Sequence, residues 1–212
     1  ANLVTGDVIN FIQILGSVLD LGVPSDSTVS LAKLTATGTK NSTTFLRGDN
    51  TFNAPPNTGI TNAQQWRISA AQSNMDNGDH VTNNWEVVDS YGYGGIGSAI
   101  SQSSGIFTFP ETGIWHISYT YNGSDGTAQL YVGGTITSTT DNSTYNVASK
   151  GNHNITNANQ YFTGTINFMF DVTNTTTHKI RFAVHCQNNG IALSGNTNRT
   201  DTGAVFTRLG DT

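Results

Sequence analysis

The chain has 212 residues, only 11% of them charged, and carries a net charge of −5. Nine Lys and Arg spread over that length make no clustered basic patch, so nucleic acid is not expected as a partner. Glu occurs only at Glu86 and Glu111, while Thr, Asn, Ser, Gly, Val, Ile and aromatics are plentiful, a balance that favours strands joined by polar turns over helices.

The first predicted element is nevertheless a helix. Asp7 is placed to cap it, and Val8, Phe11, Ile12, Leu15 and Val18 or Leu19 follow helical spacing. Nothing later in the segment offers a matching apolar face. The stripe therefore packs either on another chain or back on the following domain. Asn10, Gln13, Gly16, Ser17 and Asp20 interrupt Val8–Val23, and no run of 18 apolar residues exists, so no membrane insertion is expected. No basic region precedes the stripe, so it does not read as a signal peptide.

Next comes "TFLRGDNTFNAPP", Thr44–Pro56, containing Arg47-Gly48-Asp49. Phe45 and Leu46 precede the tripeptide and Phe52 follows it, so Gly48-Asp49-Asn50 reads as a tight turn between apolar anchors, not as a mobile adhesion tip. "NAPPNTGITN", Asn53–Asn62, has the prolines, glycine and polar residues of a linker. It divides an N-terminal segment, residues 1–60, from a domain over 61–212.

That domain is a series of period-two patterns. Trp115, Ile117, Tyr119 and Tyr121 share one face of a predicted strand. Ile166, Phe168, Phe170 and Val172 share a second, and Ile180, Phe182, Val184 and Cys186 a third. "QWRIS", "WEVVD", "GIFTFP", "AQLYV", "GIALS" and "GAVFTRL" supply further short strands. About nine strands between turn signals predict an all-β sandwich or jelly roll.

Catalytic and cofactor motifs are weak. "GYGGIG", Gly92–Gly97, spells G-x-G-x-x-G, but no helical stripe follows it, so it reads as a Tyr-bearing loop. His185 and Cys186 are adjacent on a strand and point to opposite faces, which excludes a Cys–His pair; Cys186, the only cysteine, reads as a buried small hydrophobe. No metal spacing is found among the five histidines, and no carboxylate pair of glycosidase type is visible. No enzyme activity, cofactor or metal is expected. Six N-x-[ST] sequons are what a chain this rich in Asn and Thr contains by chance.

Two stretches resemble known families. "GTKNSTTFLRGDNTFNAPP", Gly38–Pro56, is similar to a segment, often written S-T-F-L-R-G-D-G-T-W, that recurs in tail-fibre and other structural proteins of bacteriophages. Here Asn50 stands for Gly and Phe52 for Trp. "GIFTFPETGIWHISYTYN", Gly105–Asn122, resembles the G-x-F-x-x-P-x-x-G-x-Y run of C1q/TNF-like jelly rolls, with Trp115 where Tyr is usual. "RTDTGAVFTRLG", Arg199–Gly210, looks like that family's closing strand.

The resemblance implies a ten-stranded C1q/TNF-like jelly roll assembled as a homotrimer, with both termini at the base and loops at the far end. It further implies a phage virion protein, with capsid or tail proteins as partners. In that reading Val8, Phe11, Ile12, Leu15 and Leu19 attach to the virion, and Phe45, Leu46 and Phe52 form a trimeric neck. The head loops "NMDNGDHVTNN", "SYGYGGIGS", "TSTTDNSTYN" and "KGNHNITNANQ" carry Tyr91, Tyr93, Tyr145 and His153 toward a host-surface glycan or protein. Alternatives are a capsid decoration protein clamped by its N-terminal segment, a polysaccharide depolymerase and a secreted C1q-like lectin.

Overall fold

The structure, a computed structural model, describes residues 4–6, 8, 30, 32, 35–55 and 59–212. The chain divides into two units, Ala1–Asn57 and Thr58–Thr212. The expected N-terminal helix lies outside the described residues, as do Phe11, Ile12, Leu15 and Leu19; Val8 is described and exposed.

In the first unit, β1 (Thr37–Gly38), β2 (Phe45–Leu46) and β3 (Thr51–Asn53) form a small sheet in the order β1-β3-β2. The turn between β2 and β3 is the Arg-Gly-Asp segment. Arg47 N–H donates to Thr51 O at 2.8 Å and Asn50 N–H to Arg47 O at 3.0 Å. Asn50 takes the left-handed backbone, φ 61°, a conformation that Asn tolerates better than most residues. The Asp49 carboxylate accepts the Thr51 hydroxyl at 2.6 Å and the Thr51 N–H at 3.1 Å, and the hydroxyl contact leads in holding its pKa below the usual range. The tripeptide is therefore a closed turn whose carboxylate is already engaged. Phe45 and Leu46 are half exposed in this unit.

The second unit is a two-sheet sandwich. In chain order its strands are β4 (Asn62–Ile68), β5 (Ala70–Met75), β6 (Trp85–Val87), β7 (Ser101–Ser103), β8 (Ile106–Thr108), β9 (Gly113–Asp125) and β10 (Gln129–Thr139). They continue as β11 (Asn146–Lys150), β12 (His153–Ile155), β13 (Gln160–Val172), β14 (Lys179–Cys186), β15 (Ile191–Asn196) and β16 (Gly203–Gly210). One sheet runs β5-β15-β9-β16-β4-β6, with β13 on the other side of β9. The second runs β11-β10-β14-β8-β7, with β12 also on β10.

The sequence alternation is realised in the packing. Trp115, Ile117, Tyr119 and Tyr121 turn inward from β9 and Phe162, Ile166 and Phe170 from β13. Ile180, Phe182, Val184 and Cys186 meet them from β14, with Phe107, Phe109 and Phe206 between. Aromatic rings carry the centre: Tyr119 stacks on Phe182 at 4.5 Å, and Phe107 lies within 5.5 Å of Trp66, Trp85, Phe182 and Phe206. Asn62, Gly210 and Gly113 lie at one end of the sandwich, since Asn62 pairs with Arg208 and Ile114 with Gly210. Asp125, Gln129 and Gln160 lie at the opposite, far end.

The buried core has an alkaline signature. Burial, reinforced by the nearby carboxylates of Asp125, Asp76 and Asp79, pushes the Cys186 thiol from 9.0 up to about 11. Burial also raises the Tyr119 and Tyr121 hydroxyls. The folded state thus holds these protons more tightly than the unfolded chain, so their contribution is complete below pH 9 and is lost as pH rises through the folded values. Urea unfolding is expected to show stability falling between about pH 9 and pH 11, with Cys186→Ala removing the first part of the fall. An unchanged midpoint over that range would contradict this burial.

Candidate binding surfaces

The four loops that carry the candidate residues Tyr91, Tyr93, Tyr145 and His153 do not meet at one place. "SYGYGGIGS" runs along β4. The Gln65 N–H donates to the Tyr93 hydroxyl at 3.1 Å, and Ile96 and Ala63 exchange backbone hydrogen bonds. A side chain at Gly97 would run into the Thr61 carbonyl, so a glycine is needed where this loop closes on the sheet edge. Tyr93 is thereby a fastening of the loop, whereas Tyr91, with positive φ, projects 88% exposed. The loop carrying Tyr145 joins β10 to β11 at the terminal end. His153 opens β12, paired with Val132. Only the loops around Asp76–Asp79 and Thr156–Asn159 approach the far end.

At that end they join two loops that the sequence reading did not single out, Asp125–Gln129 and Gln187–Gly190. A buried amide ties them. Gln129 Nε2 donates to Asp125 Oδ2 and, at 2.8 Å, to Asn188 O, while its Oε1 accepts the N–H groups of Gln187 and Asn188 at 3.1 and 2.8 Å. Asp125 Oδ1 accepts the Thr127 N–H at 2.9 Å, and Asn159 N–H donates to Asp125 O at 2.8 Å. The far end is thus a set of loops already fixed by internal hydrogen bonds, presenting Asn, Asp, Gln and Thr side chains. A surface ordered in advance loses less entropy on binding. Sequence carries no signal for this knot beyond the polar turn "SDGT", because its bonds span up to 59 residues.

The segment Asp76–Asn84 is a wall between two open grooves, both lined in part by His80. On one side a groove of about 780 Å³ runs along edge strand β5, lined by Gln72, Asn74, Asp79, Asn83 and Asn84. Gln72 Nε2 donates to Asn83 O at 2.6 Å and Asn84 Nδ2 to Ala70 O at 3.2 Å, which holds the wall to the strand. This lining offers amides and a carboxylate, suited to hydrogen bonding with hydroxyls or peptide groups. Among the described residues no three His, Cys, Asp or Glu side chains converge as a metal site.

A third surface is the outer face of the seven-stranded sheet. β9 contributes His116, Ser118 and Thr120, and β13 contributes Thr165, Asn167 and Met169 in direct register opposite. Thr120 and Thr165 share a hydrogen bond at 2.9 Å. Met169 (52%), Val205 (38%) and Leu209 (52%) are exposed on these strands and on β16.

The strand order, two facing sheets and aromatic centre define a TNF-like jelly roll. Solved structures with this architecture include murine APRIL, a crystal structure at pH 8.0, and Eiger TNF from S. frugiperda. APRIL aligns with TM-score 0.50 and 15% identity over 70% of this chain and 98% of its own. Eiger aligns with TM-score 0.52 and 8% identity over 73% of this chain and 96% of its own. The fold expected from the Gly105–Asn122 run is therefore the fold observed. No family model matches the sequence, and no curated protein sequence matches it.

Proposed function

We propose that the protein is a non-enzymatic, homotrimeric component of a phage particle, in which the jelly roll is a head that binds the host surface. The N-terminal segment attaches it to capsid or tail proteins, and Phe45, Leu46 and Phe52 pack in a neck. The observation that carries this reading is the pairing of a fibre-like segment, folded as a closed hairpin turn, with a TNF-like jelly roll in one chain. Trimerisation gives the half-exposed Met169, Val205 and Leu209 a partner, and it multiplies weak contacts at three equal far ends into useful avidity. The ordered loops of the far end, with Asn157, Asn188 and Asn189, are the surface that meets a host glycan or protein.

Two measurements test this. Light scattering is expected to give three times the 22.6 kDa chain mass, and a monomer would overturn the assembly. Gold-labelled antibody on particles is expected at fibre tips or tail. Label spread over the capsid faces would make the protein a decoration protein anchored by residues 1–60, and label on no particle would end the virion reading.

A further inference from the structure

The second groove beside Asp76–Asn84 differs in character from the first. It lies on the outer face of the six-stranded sheet and encloses about 330 Å³, at the low end of volumes that hold a small ligand (~300–1,000 Å³). Its layout follows from strand register. Lys150 on β11 pairs with Thr135 on β10, Thr135 with Ala183 on β14, and Ala183 with His80 in the wall. The small residues Thr135 and Ala183 make a floor, and Lys150 and His80 stand on either side. One row along, Val147, Thr137 and Arg181 are in register; in the other direction Gly133 faces His185. Tyr145 closes the Arg181 end. At the opposite end Tyr131 stacks on His185, ring centroids 4.7 Å apart.

Lys150 in this groove, and Arg181 behind its Tyr145 wall, lack ion-pair partners among the described residues. Elsewhere in the second unit Arg67 meets Glu86 and Asp89, Arg199 meets Asp201, and Arg208 meets Asp211 and Glu111. Lys179 is held by the Thr108 hydroxyl and the Thr175 carbonyl. Among the described residues, Lys150 and Arg181 have no carboxylate within ion-pair distance. The Arg181 guanidinium lies 3.6 Å over the Tyr145 ring. Its Nε and the Tyr145 hydroxyl are both buried without a hydrogen-bond partner in the protein. Two buried polar groups left without partners are rare in a native structure and call for an acceptor. The local field is visible in the histidines: burial first, then Arg181, lowers His80 against an opposing pull from Asp79, and burial, then Lys150, lowers His185.

We propose that this groove binds the anionic group of an acidic sugar, a carboxylate or a phosphate. Lys150 supplies the charge, the Tyr145 hydroxyl and Arg181 supply hydrogen bonds, and the Tyr131–His185 stack offers a flat face to the ring. A guanidinium and a hydroxyl donate to one oxyanion in a way that a neutral sugar cannot reward. The hydroxyl of Thr135 and the amide of Asn77 face the same space and suit the sugar's remaining hydroxyls. The whole groove belongs to a single chain, so it functions whether or not the protein trimerises or sits on a virion. It shares only the Asn77–Gly78 turn with the far-end loops assigned above to host contact, and Lys150, Tyr145 and Arg181 lie outside them.

The test is an NMR titration of the full-length, nitrogen-15-labelled protein at low salt with glucuronate, glucose 6-phosphate and glucose. The amides of Thr135, Lys150 and Ala183 and the Arg181 Nε–H signal are followed. Saturable shifts with glucuronate or glucose 6-phosphate, and none with glucose, are expected; the tighter of the two names the group as carboxylate or phosphate. Lys150→Met, at an exposed position, and Tyr145→Phe, which keeps the ring on Arg181, are each expected to weaken binding at least about tenfold. Arg199→Gln, outside the groove, is expected to change nothing. Equal response to glucose, shifts that do not saturate, or binding that survives both groove variants would overturn the site. None of those results bears on trimer mass or particle labelling.

Discussion

Trp115→Ala is expected to lower the unfolding free energy by about 3–5 kcal/mol. Trp115 is fully buried on β9, the strand that pairs with β13 on one side and β16 on the other. Its ring lies 5.0 Å from Phe109, and its indole N–H donates to the Glu111 carbonyl at 3.3 Å. Truncation removes the large side chain and leaves a hole walled by strands locked on both sides, which cannot close over it. The loss is read from urea unfolding at one fixed protein concentration, because any self-association adds to apparent stability. A loss below about 1 kcal/mol would mean that the ring is not enclosed as described.

Glu86→Leu is expected to cost nearly as much, about 3 kcal/mol, although Glu86 itself is partly exposed. The reason is its partner. Arg67 is fully buried on β4 and donates from Nε to Glu86 and from the two terminal nitrogens to Ser90 and Asp89, at 2.7, 2.8 and 2.7 Å. Ser90 in turn donates to Asn198 O at 3.3 Å, so one guanidinium ties β4, β6 and the β15–β16 connection. Removing Glu86 leaves a buried cation with its best partner gone. The double variant Arg67→Met/Glu86→Leu removes both charges and is expected to recover most of the loss. Additive losses in the double variant would show that the pair matters through shape and not through charge.

The fold was readable where strands are buried on one face. β9, β13, β14 and β16 announce themselves by alternation because one side of each is filled with aromatic and branched residues. About nine strands were expected and thirteen are observed in the second unit. β5, β7, β11 and β12 carry little apolar pattern, since three lie at sheet edges and the fourth pairs off the main path. Backbone hydrogen bonding holds them, and side-chain periodicity does not record it. The surfaces divide similarly. The Arg-Gly-Asp turn was legible because turn chemistry is local. The groove over Thr135 was not: Lys179, Arg181, Ala183 and His185 read from sequence as a plain solvent face, and only register brings Lys150, Tyr145 and His80 over it.

The position of β16 also governs how the domain is made. β4, the first strand of the second unit, has β16 as its neighbour, and β16 separates it from β9. Until the ribosome has delivered Gly203–Gly210, β4 and β9 each present an open edge, and Ile117 and Trp66 lack the Phe206 and Ala204 that face them. The seven-stranded sheet therefore cannot close before its last strand has been made. Closure waits on pairings distant in sequence, and until it comes the open edges of β4 and β9 are templates for pairing with another chain.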